Sequence, residues 1–382
     1  MRTRDLGIVI GRGQPGPGNA ITDVAGVRVG HTTIVAGDGP LVVGHGPVRT
    51  GVTMVVPGDA DHWKYAVYAG CHRLNGNGEM TGLEWIRETG LLMTPIAITN
   101  THSVGLVRDA LVAVAVEHAG SQRPHWTLPV VGETSDSLLN DMDGFHVRSE
   151  HVRDALAAAV GGIVPEGNVG GGTGSICHEF KGGIGTASRV IPDAAGGFTI
   201  GALVQANYGK RSWLRVDGVP VGAEIGLDEV PSPFRPADDR VRGLPPPGSG
   251  SIIVVVATDA PLLPNQCQRV AQRAGLGVAR AGGTGGQTSG DLFIAFATGN
   301  RLPVDDEDRP TVLVRDVRTA GEGVMDAIFE ATIEATEEAI VNALVAAETM
   351  EGRDGITAHA LPHDRLLEIM ARYGRRPRPI AR

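Results

Sequence analysis

The stretch Gly243-Leu-Pro-Pro-Pro-Gly-Ser-Gly250 runs directly into Ser251-Ile-Ile-Val-Val-Val256. The first half, rich in proline and glycine, is incompatible with a helix or a central strand and predicts an exposed, extended segment. The second half is a continuous run of apolar, mostly β-branched residues, which is typical of a strand covered on both faces. The Gly250–Ser251 junction therefore joins a loop to the core.

The junction has two interpretations. In the simpler one, a linker precedes a strand whose first residue is a serine. In the other, the hydroxyl of Ser251 attacks the unhindered carbonyl of Gly250, and hydrolysis then leaves Ser251 as a new amino terminus. An α-amine has a pKa of about 7.7–8.0, so one residue would then carry both a nucleophile and a base.

Other apolar runs predict strands that alternate with helices, as in α/β and α+β proteins. The predicted strands are Val27–His31, Val52–Pro57, Ile96–Asn100, Leu128–Gly132, Phe198–Gln205, Ile252–Ala257, Leu292–Ala297 and Val312–Val317. The predicted helices are Val104–Glu117, Val152–Val160, Asn265–Ala279, with Asn265 as its cap, and Met325–Leu344. This periodicity fits two covered sheets as well as one.

Composition narrows the class of protein. The 382 residues include 55 Gly and 24 Pro but only 15 aromatic residues, which favours sites built from tight turns and loops. The net charge of −9 argues against a nucleic-acid or anionic-membrane surface. The three cysteines form no C-x-x-C pair, and no apolar run suits a signal peptide or a membrane helix. We therefore expect a cytoplasmic, soluble protein.

Several long motifs resemble the family of L-aminopeptidase/D-esterases and β-peptidyl aminopeptidases. The resemblance extends from about Asn19 to about Tyr373, and its motifs occur in the family's order: Asn19–His31, Arg49–Thr53, Pro95–Thr101, Gly250–Pro264 and Ser289–Phe296. It implies a four-layer α-β-β-α fold and a tetramer of cleaved protomers. It also implies hydrolysis of small peptides, amides or esters that begin with a free amine. We expect no cofactor.

The resemblance also assigns roles to individual residues. It implies self-cleavage between Gly250 and Ser251 into residues 1–250 and 251–382 of one fold, with Ser251 as the nucleophile of both scission and turnover. Ser289 and Asp291 match the family's Ser-Gly-(Glu/Asp) motif, whose side chains hold and polarise the hydroxyl and amine of the nucleophile. Asp291 is shorter than the glutamate of other members. On its residues alone, this pair would be a solvated turn.

Two further residues match family positions outside the junction. Asn207 matches the asparagine whose amide points at the developing oxyanion, although without the resemblance it would be a turn residue. Glu133 matches the carboxylate that binds the ammonium group of the substrate, although on its own it would be a surface salt-bridge residue.

Sites of other classes fit the sequence less well. Gly11–Gly16 has dinucleotide-loop spacing, but Pro15 and Pro17 prevent the helix that such a loop requires. Asn168–Gly174 lacks the lysine of a phosphate loop and is expected to line the active-site cleft. His359–His363 and Cys177–Glu179 are poor metal motifs, so no metal is expected. There is no G-x-S-x-G nucleophile elbow.

Two functional alternatives remain. One is a self-cleaving acyltransferase that resembles the ornithine acetyltransferases, which have threonine at the cut where this chain has Ser251. The other is an uncleaved, non-enzymatic protein that binds a small amine.

Overall fold

The structure is a computed structural model that describes residues 1–59, 62–120, 126–235, 245–304 and 315–375. Its helices in these ranges are α1 (Leu83–Thr89), α2 (Val104–Ala119), α3 (Ser149–Ala157), α4 (Val221–Glu224), α5 (Pro264–Arg280), α6 (Glu322–Ala346) and α7 (His363–Arg372). Its strands are β1 (Arg28–Ala36), β2 (Val48–Val56), β3 (Tyr65–Gly76), β4 (Leu91–Leu92), β5 (Ile96–Thr99), β6 (Val130–Glu133), β7 (Ile176–Cys177), β8 (Phe180–Lys181), β9 (Gly183–Val190), β10 (Thr199–Gly209), β11 (Gly248–Thr258), β12 (Ser289–Pro303), β13 (Met350–Glu351) and β14 (Thr357–Ala358).

Most strands belong to two sheets. The larger sheet has the order β4-β3-β12-β11-β10-β9, and the smaller has the order β1-β2-β5-β6. The strand that contains the junction, β11, lies inside the larger sheet, antiparallel to β10 and parallel to β12. An interior strand has hydrogen-bonding neighbours on both sides, which suits its uninterrupted apolar sequence.

Side chains along β11 alternate between two cores. Ile252 and Val254 pack in the core that contains residues of α5 and α6. Ile253 and Val255 face the other way, into a core shared with residues of β2, β5 and β6. A third core joins the outer face of the smaller sheet to α2 and α3. The layers are therefore helices, small sheet, large sheet and helices, which confirms the predicted four-layer α-β-β-α fold.

Most predicted elements are confirmed, with ends that differ by a few residues. Seven predicted strands overlap β1, β2, β5, β6, β10, β11 and β12, and the four predicted helices overlap α2, α3, α5 and α6. The prediction of a strand at Val312–Val317 is wrong for residues 315–317, which form no strand, and residues 312–314 lie outside the described residues.

Two local predictions around the junction and α5 are wrong. Gly248–Gly250 is not a loop, because it pairs with Gly209 of β10 and Ser289 of β12 and so begins β11; Gly243 and Leu244 lie outside the described residues. The cap of α5 is Leu263 rather than Asn265, because Pro264 occupies the first helical position.

Two buried strands, β3 and β9, escape prediction because polar residues and glycines interrupt their apolar pattern. In β9 the guanidinium of Arg189 is almost fully buried, yet Glu334 and Glu338 of α6 bind it at 3.0 and 2.7 Å. A charged residue can lie in a core strand when its partners come from a distant segment of the chain. The local sequence pattern does not predict such a strand.

The contact between α5 and α6 depends on a glycine. A Cβ at Gly277 would lie 2.6 Å from Cβ of Thr336, whereas a Cβ at Gly275 would lie 3.4 Å from the ring of Phe293, an ordinary contact. We expect Gly277→Ala to lower the free energy of unfolding by about 1–3 kcal/mol through overpacking. The matched Gly275→Ala variant should raise it by about 0.5–1 kcal/mol, because alanine favours helix.

Urea unfolding of both variants checks this account of the helix contact. Equal effects of the two substitutions would contradict it.

Candidate active site

Ser251 lies within β11, opposite Asn207 of β10 and Gly290 of β12. Its side chain is 5% exposed, and its Oγ accepts a hydrogen bond from the backbone N–H of Gly290 at 3.2 Å. Because alternate residues of a strand share a face, Ser251 points to the same side as Ile253, towards the smaller sheet. The candidate nucleophile is therefore buried and held by the backbone of a central strand.

Gly250 has a backbone that only glycine adopts readily. Its φ is +151°, and a Cβ on this residue would overlap the carbonyl oxygen of Asn207. The residue before the candidate nucleophile therefore approaches the neighbouring strand more closely than any side chain allows.

Ser289 and Asp291 form a hydrogen-bonded pair in β12, which corrects the view of this segment as a solvated turn. The hydroxyl of Ser289 donates to Oδ1 of Asp291 at 2.6 Å, and both side chains are buried. Burial raises the pKa of Asp291, and the hydrogen bond from Ser289 opposes this effect. The pair shares a strand face with Phe293 and so lies on the side of α5 and α6.

The register places this pair beside the junction. Ser289 is paired with Gly250, and Asp291 is paired with Ile252. In the continuous chain, no hydrogen bond within the described ranges joins Ser289 to Ser251, whose hydroxyl is instead bound by Gly290. Ser289 and Asp291 thus lie beside the Gly250–Ser251 peptide bond, but among the described residues they form no hydrogen bond with the hydroxyl of Ser251.

Asn207 lies in β10, inside a strand rather than in a turn. Its Oδ1 accepts from the N–H of Ile176 at 2.8 Å, and its Nδ2 donates to the carbonyl of Ser135 at 2.9 Å. These partners fix the orientation of the amide, and within the described part of the chain they leave one N–H of Nδ2 uncommitted. Because Asn207 is opposite Ser251 in the register, that N–H lies on the nucleophile's side of the sheet.

Glu133 ends β6 and is buried, with 2% exposure, so it is not a surface salt-bridge residue. One carboxylate oxygen accepts from the N–H of Glu79 at 2.9 Å, and the other accepts from the hydroxyl of Thr101. Burial raises the pKa of Glu133, while the bonds from Thr101 and Glu79 lower it. A carboxylate has about four acceptor positions, so these two bonds leave capacity for a cation.

A short chain of contacts joins Glu133 to Ser251. A Cβ on Gly78 would lie 2.9 Å from Oε1 of Glu133 and 3.1 Å from Cα of Gly290, whose N–H binds Ser251. Residues from both sheets therefore converge at the amino-terminal end of β11.

Three contributors to the site were not predicted as site residues. The backbone N–H groups of Gly290 and Glu79 bind Ser251 and Glu133, and the hydroxyl of Thr101 binds Glu133. Gly290 and Thr101 lie within motifs that carried the family resemblance, which was the only available signal. Glu79 contributes through its backbone, so its side-chain identity carries no information.

The glycine-rich Gly11–Gly16 segment surrounds a carboxylate of the protein itself. The N–H groups of Arg12 and Gly13 donate to Glu334 at 2.7 and 2.8 Å, and a Cβ on Gly11 would overlap that carboxylate. The glycines that resemble a dinucleotide-binding loop therefore anchor the amino-terminal segment on α6.

The second glycine-rich segment, Asn168–Gly174, packs between the two sheets. Gly171 lies against the side chain of Gln205 and the carbonyl of Ile98. The segment leads to Ile176, whose N–H binds Asn207, so it supports the site through packing.

The part of the chain that the structure describes holds no site of another class. There, no group of three metal-binding side chains occurs, the three cysteines are free and buried, and no helix is long and apolar enough to cross a membrane.

Comparisons with known proteins support the site's class. A family model described as peptidase family S58 matches residues 19–358. The β-peptidyl aminopeptidase BapA of Sphingosinicella microcystinivorans is 48% identical over 378 residues, which cover 98% of this chain and 93% of BapA.

Solved structures agree with this match. A β-aminopeptidase of a Burkholderia species has a TM-score of 0.90 and 54% identity, and the match covers 99% of this chain and 100% of that chain. The L-aminopeptidase D-Ala-esterase/amidase of Ochrobactrum anthropi has a TM-score of 0.87 and 44% identity over 98% of this chain and 99% of its own. That enzyme is described as a serine aminopeptidase and a variant of the Ntn hydrolase fold.

The fold and the buried serine at the start of a central strand define a hydrolase with the Ntn hydrolase fold. The chain belongs to peptidase family S58. The predicted resemblance to the L-aminopeptidases and β-peptidyl aminopeptidases is confirmed, and so is the predicted enzyme class.

The Ser289–Asp291 pair makes a prediction about protonation. Ser289→Ala removes the donor that stabilises the Asp291 carboxylate while burial persists, so the pKa of Asp291 should rise further. The folded-state pKa of Asp291 lies above its unfolded-state pKa, so the fold loses stability as the pH rises from the unfolded-state value to the folded-state value. Ser289→Ala should widen this pH range.

Carboxyl-carbon NMR titration in a Ser251→Ala background, which keeps both forms comparable, measures this pKa. Ser289→Thr keeps the hydroxyl and serves as the control. An unchanged or lowered pKa in Ser289→Ala would show that the hydrogen bond has no such effect.

Proposed function

We propose that this S58 enzyme cuts its own chain between Gly250 and Ser251 and that Ser251 then removes amino-terminal residues from small peptides, amides or esters. The main support for the proposal is the position of the junction. It lies near the start of a central strand, beside Ser289 and Asp291 and opposite Asn207, and Glu133 lies at the same end of the strand.

Scission proceeds by an acyl shift. The Oγ of Ser251 attacks the carbonyl carbon of Gly250, the C–N bond breaks, and the acyl group moves from nitrogen to oxygen. The Oγ proton passes to the leaving nitrogen. Water then hydrolyses the ester, which leaves a carboxylate on Gly250 and both a free hydroxyl and an α-amine on Ser251. The open carbonyl and positive φ of Gly250 support attack at this residue.

The new amine supplies the base. At neutral pH, roughly a tenth of an α-amine with a pKa of about 8 is unprotonated, against under a thousandth of an ordinary lysine. The amine accepts the proton of the Ser251 hydroxyl as Oγ attacks the substrate carbonyl. Ser289 and Asp291, on the other side of the strand, hold that amine in place.

Asn207 stabilises the charge that develops on the substrate oxygen. Its uncommitted N–H lies on the nucleophile's side of the sheet, and its two existing hydrogen bonds prevent rotation. A fixed donor of this kind contributes about 3–4 kcal/mol to lowering the barrier. Collapse of the tetrahedral intermediate gives an acyl-enzyme ester on Ser251, and water releases the amino acid.

Glu133 binds the ammonium group of the substrate. Its carboxylate is held by Glu79 and Thr101, from two different segments, and is therefore oriented before substrate arrives. A free amine at this position puts the first peptide, amide or ester bond next to Ser251, which explains removal of a single amino-terminal residue.

The β-amino acids are proposed as part of the substrate range, together with L- and D-amino acids. A β-peptidyl aminopeptidase and a β-aminopeptidase are 48% and 54% identical to this chain, and the L-aminopeptidase D-Ala-esterase/amidase is 44% identical. Amides of L-Ala, D-Ala and β-Ala rank these three classes directly. Adding an acceptor amine to the same assay distinguishes hydrolysis from acyl transfer.

The two fragments, 1–250 and 251–382, are proposed to remain one folded unit. The second fragment begins within β11, and the part of this strand that it keeps, from Ser251 on, lies between β10 of the first fragment and its own β12. Separating them would break the interior of the larger sheet. Assembly into a tetramer and a cytoplasmic location remain predictions from the family resemblance and from the composition.

The nucleophile has a direct test. Ser251→Ala should yield one continuous, inactive 382-residue chain, because no hydroxyl remains to attack Gly250. Ser249→Ala is the matched control, since among the described residues the hydroxyl of Ser249 is bound by Thr288 alone, at 3.3 Å, and the variant should be cut and active. Intact-mass measurement and amide hydrolysis report both outcomes. Two fragments or residual turnover in Ser251→Ala would assign the nucleophile elsewhere.

The amine-binding role of Glu133 has a separate test. Glu133→Gln should raise KM by about 10- to 100-fold for substrates with a free amine, because a charge-assisted hydrogen bond becomes neutral. Substrates with an acylated amine should be little affected. Glu79→Gln removes a neighbouring negative charge but keeps the backbone N–H that binds Glu133, so it is the control for a change of charge alone. An equal rise for both substrate types would remove the assigned role.

A further inference from the structure

Tyr208 carries a buried hydroxyl that the proposed mechanism leaves unused. Its side chain is 4% exposed, and its hydroxyl has no hydrogen-bond partner within the described residues. A buried hydroxyl without a partner is unfavourable, and proteins keep few of them. The position of this one, directly after Asn207, links it to the active site.

The ring of Tyr208 lies on the helix side of the larger sheet. It belongs to the core that contains α5 and α6, and it packs 5.0 Å from the ring of His178. A Cβ on Gly283 would lie 2.9 Å from its Cε2 atom, so the loop after α5 holds the ring closely. The phenol therefore shares a face of the sheet with Ser289 and Asp291.

Gly250 lies between these groups. A Cβ on Gly250 would lie 3.1 Å from Cα of Tyr208, and on the other side Gly250 is paired with Ser289. Since glycine brings no side chain, nothing from β11 separates Tyr208 from the Ser289–Asp291 pair at this level of the strand. Burial, with Cys177, Asp291 and Glu337 nearby, raises the pKa of Tyr208 well above its usual value, so the phenol stays neutral.

We propose that Tyr208 is a positioning residue for the α-amine of Ser251: once the chain is cut, the hydroxyl oxygen of Tyr208 accepts a hydrogen bond from this amine. The inference rests on the proposed self-cleavage. The amine has two N–H donors and one lone pair. Tyr208 and Ser289, on opposite sides of the former Gly250 position, accept from the two donors, and the lone pair is then directed to the hydroxyl of Ser251. A neutral acceptor orients the amine without the charge that would hold it as an ammonium.

The proposal predicts opposite effects of one substitution before and after scission. In Ser251→Ala, which stays continuous, Tyr208→Phe should raise Tm by about 2 °C, because the hydroxyl it removes has no partner there. In the cleaved enzyme, the same substitution should lower Tm. It should also reduce kcat about tenfold with KM within about twofold, because the amine loses its orientation while substrate binding is untouched.

Tyr68→Phe, on β3 of the same sheet and partly buried, is the control. It should leave the kcat of the cleaved enzyme unchanged and shift Tm in the same direction in both forms. Tyr208→Phe itself should still be cut, since the amine does not exist before scission.

The outcomes distinguish a failure of the proposed self-cleavage from a failure of the role proposed for Tyr208. If intact mass shows that the wild-type chain stays whole, self-cleavage fails and the inference fails with it. If the wild type is cut but Tyr208→Phe shifts Tm in the same direction in both forms with an unchanged kcat, the role of Tyr208 is overturned and self-cleavage stands.

Discussion

The hydrogen bonding of β11 to strands on both sides is the constraint on which the rest of the site depends. It places Ser251 opposite Asn207 and Gly290, and it places Gly250 beside Ser289. A residue in the interior of a sheet has little freedom to move, so the geometry around the junction is established by the fold itself. The same ladder would hold Ser251 in position after a cut at its own amino side, because every residue that follows it in β11 remains paired.

The alternation of side chains along these strands divides the site into two faces. Ser251 and Asn207 point towards the smaller sheet, where Glu133 is also found. Ser289 and Asp291 point towards α5 and α6. In the proposed mechanism, the substrate occupies one face and the groups that hold the amine occupy the other, so recognition of the substrate and activation of the nucleophile do not compete for space.

Much of this arrangement follows from sequence, but for two different reasons. Continuous apolar runs such as Ile252–Val256 predict buried strands through hydrophobicity alone, and the family motifs give Ser289, Asp291, Asn207 and Glu133 as candidate site residues. Local patterns miss β9, because buried Arg189 is neutralised by glutamates about 145 residues later in the chain. They also misplace Gly248–Gly250, since pairing with distant strands overrides the preference of glycine for loops. Backbone donors such as that of Glu79 have no signature in side-chain identity.

The central claim, that scission creates the active nucleophile, is tested most directly by following freshly synthesised protein over time. Intact mass and amino-terminal sequencing measure the fraction of chains that begin at Ser251, and an amide assay on the same samples measures activity. The account predicts that activity rises in proportion to that fraction and is absent from uncut chains. Activity in a continuous polypeptide, or a cut at a bond other than Gly250–Ser251, would contradict it.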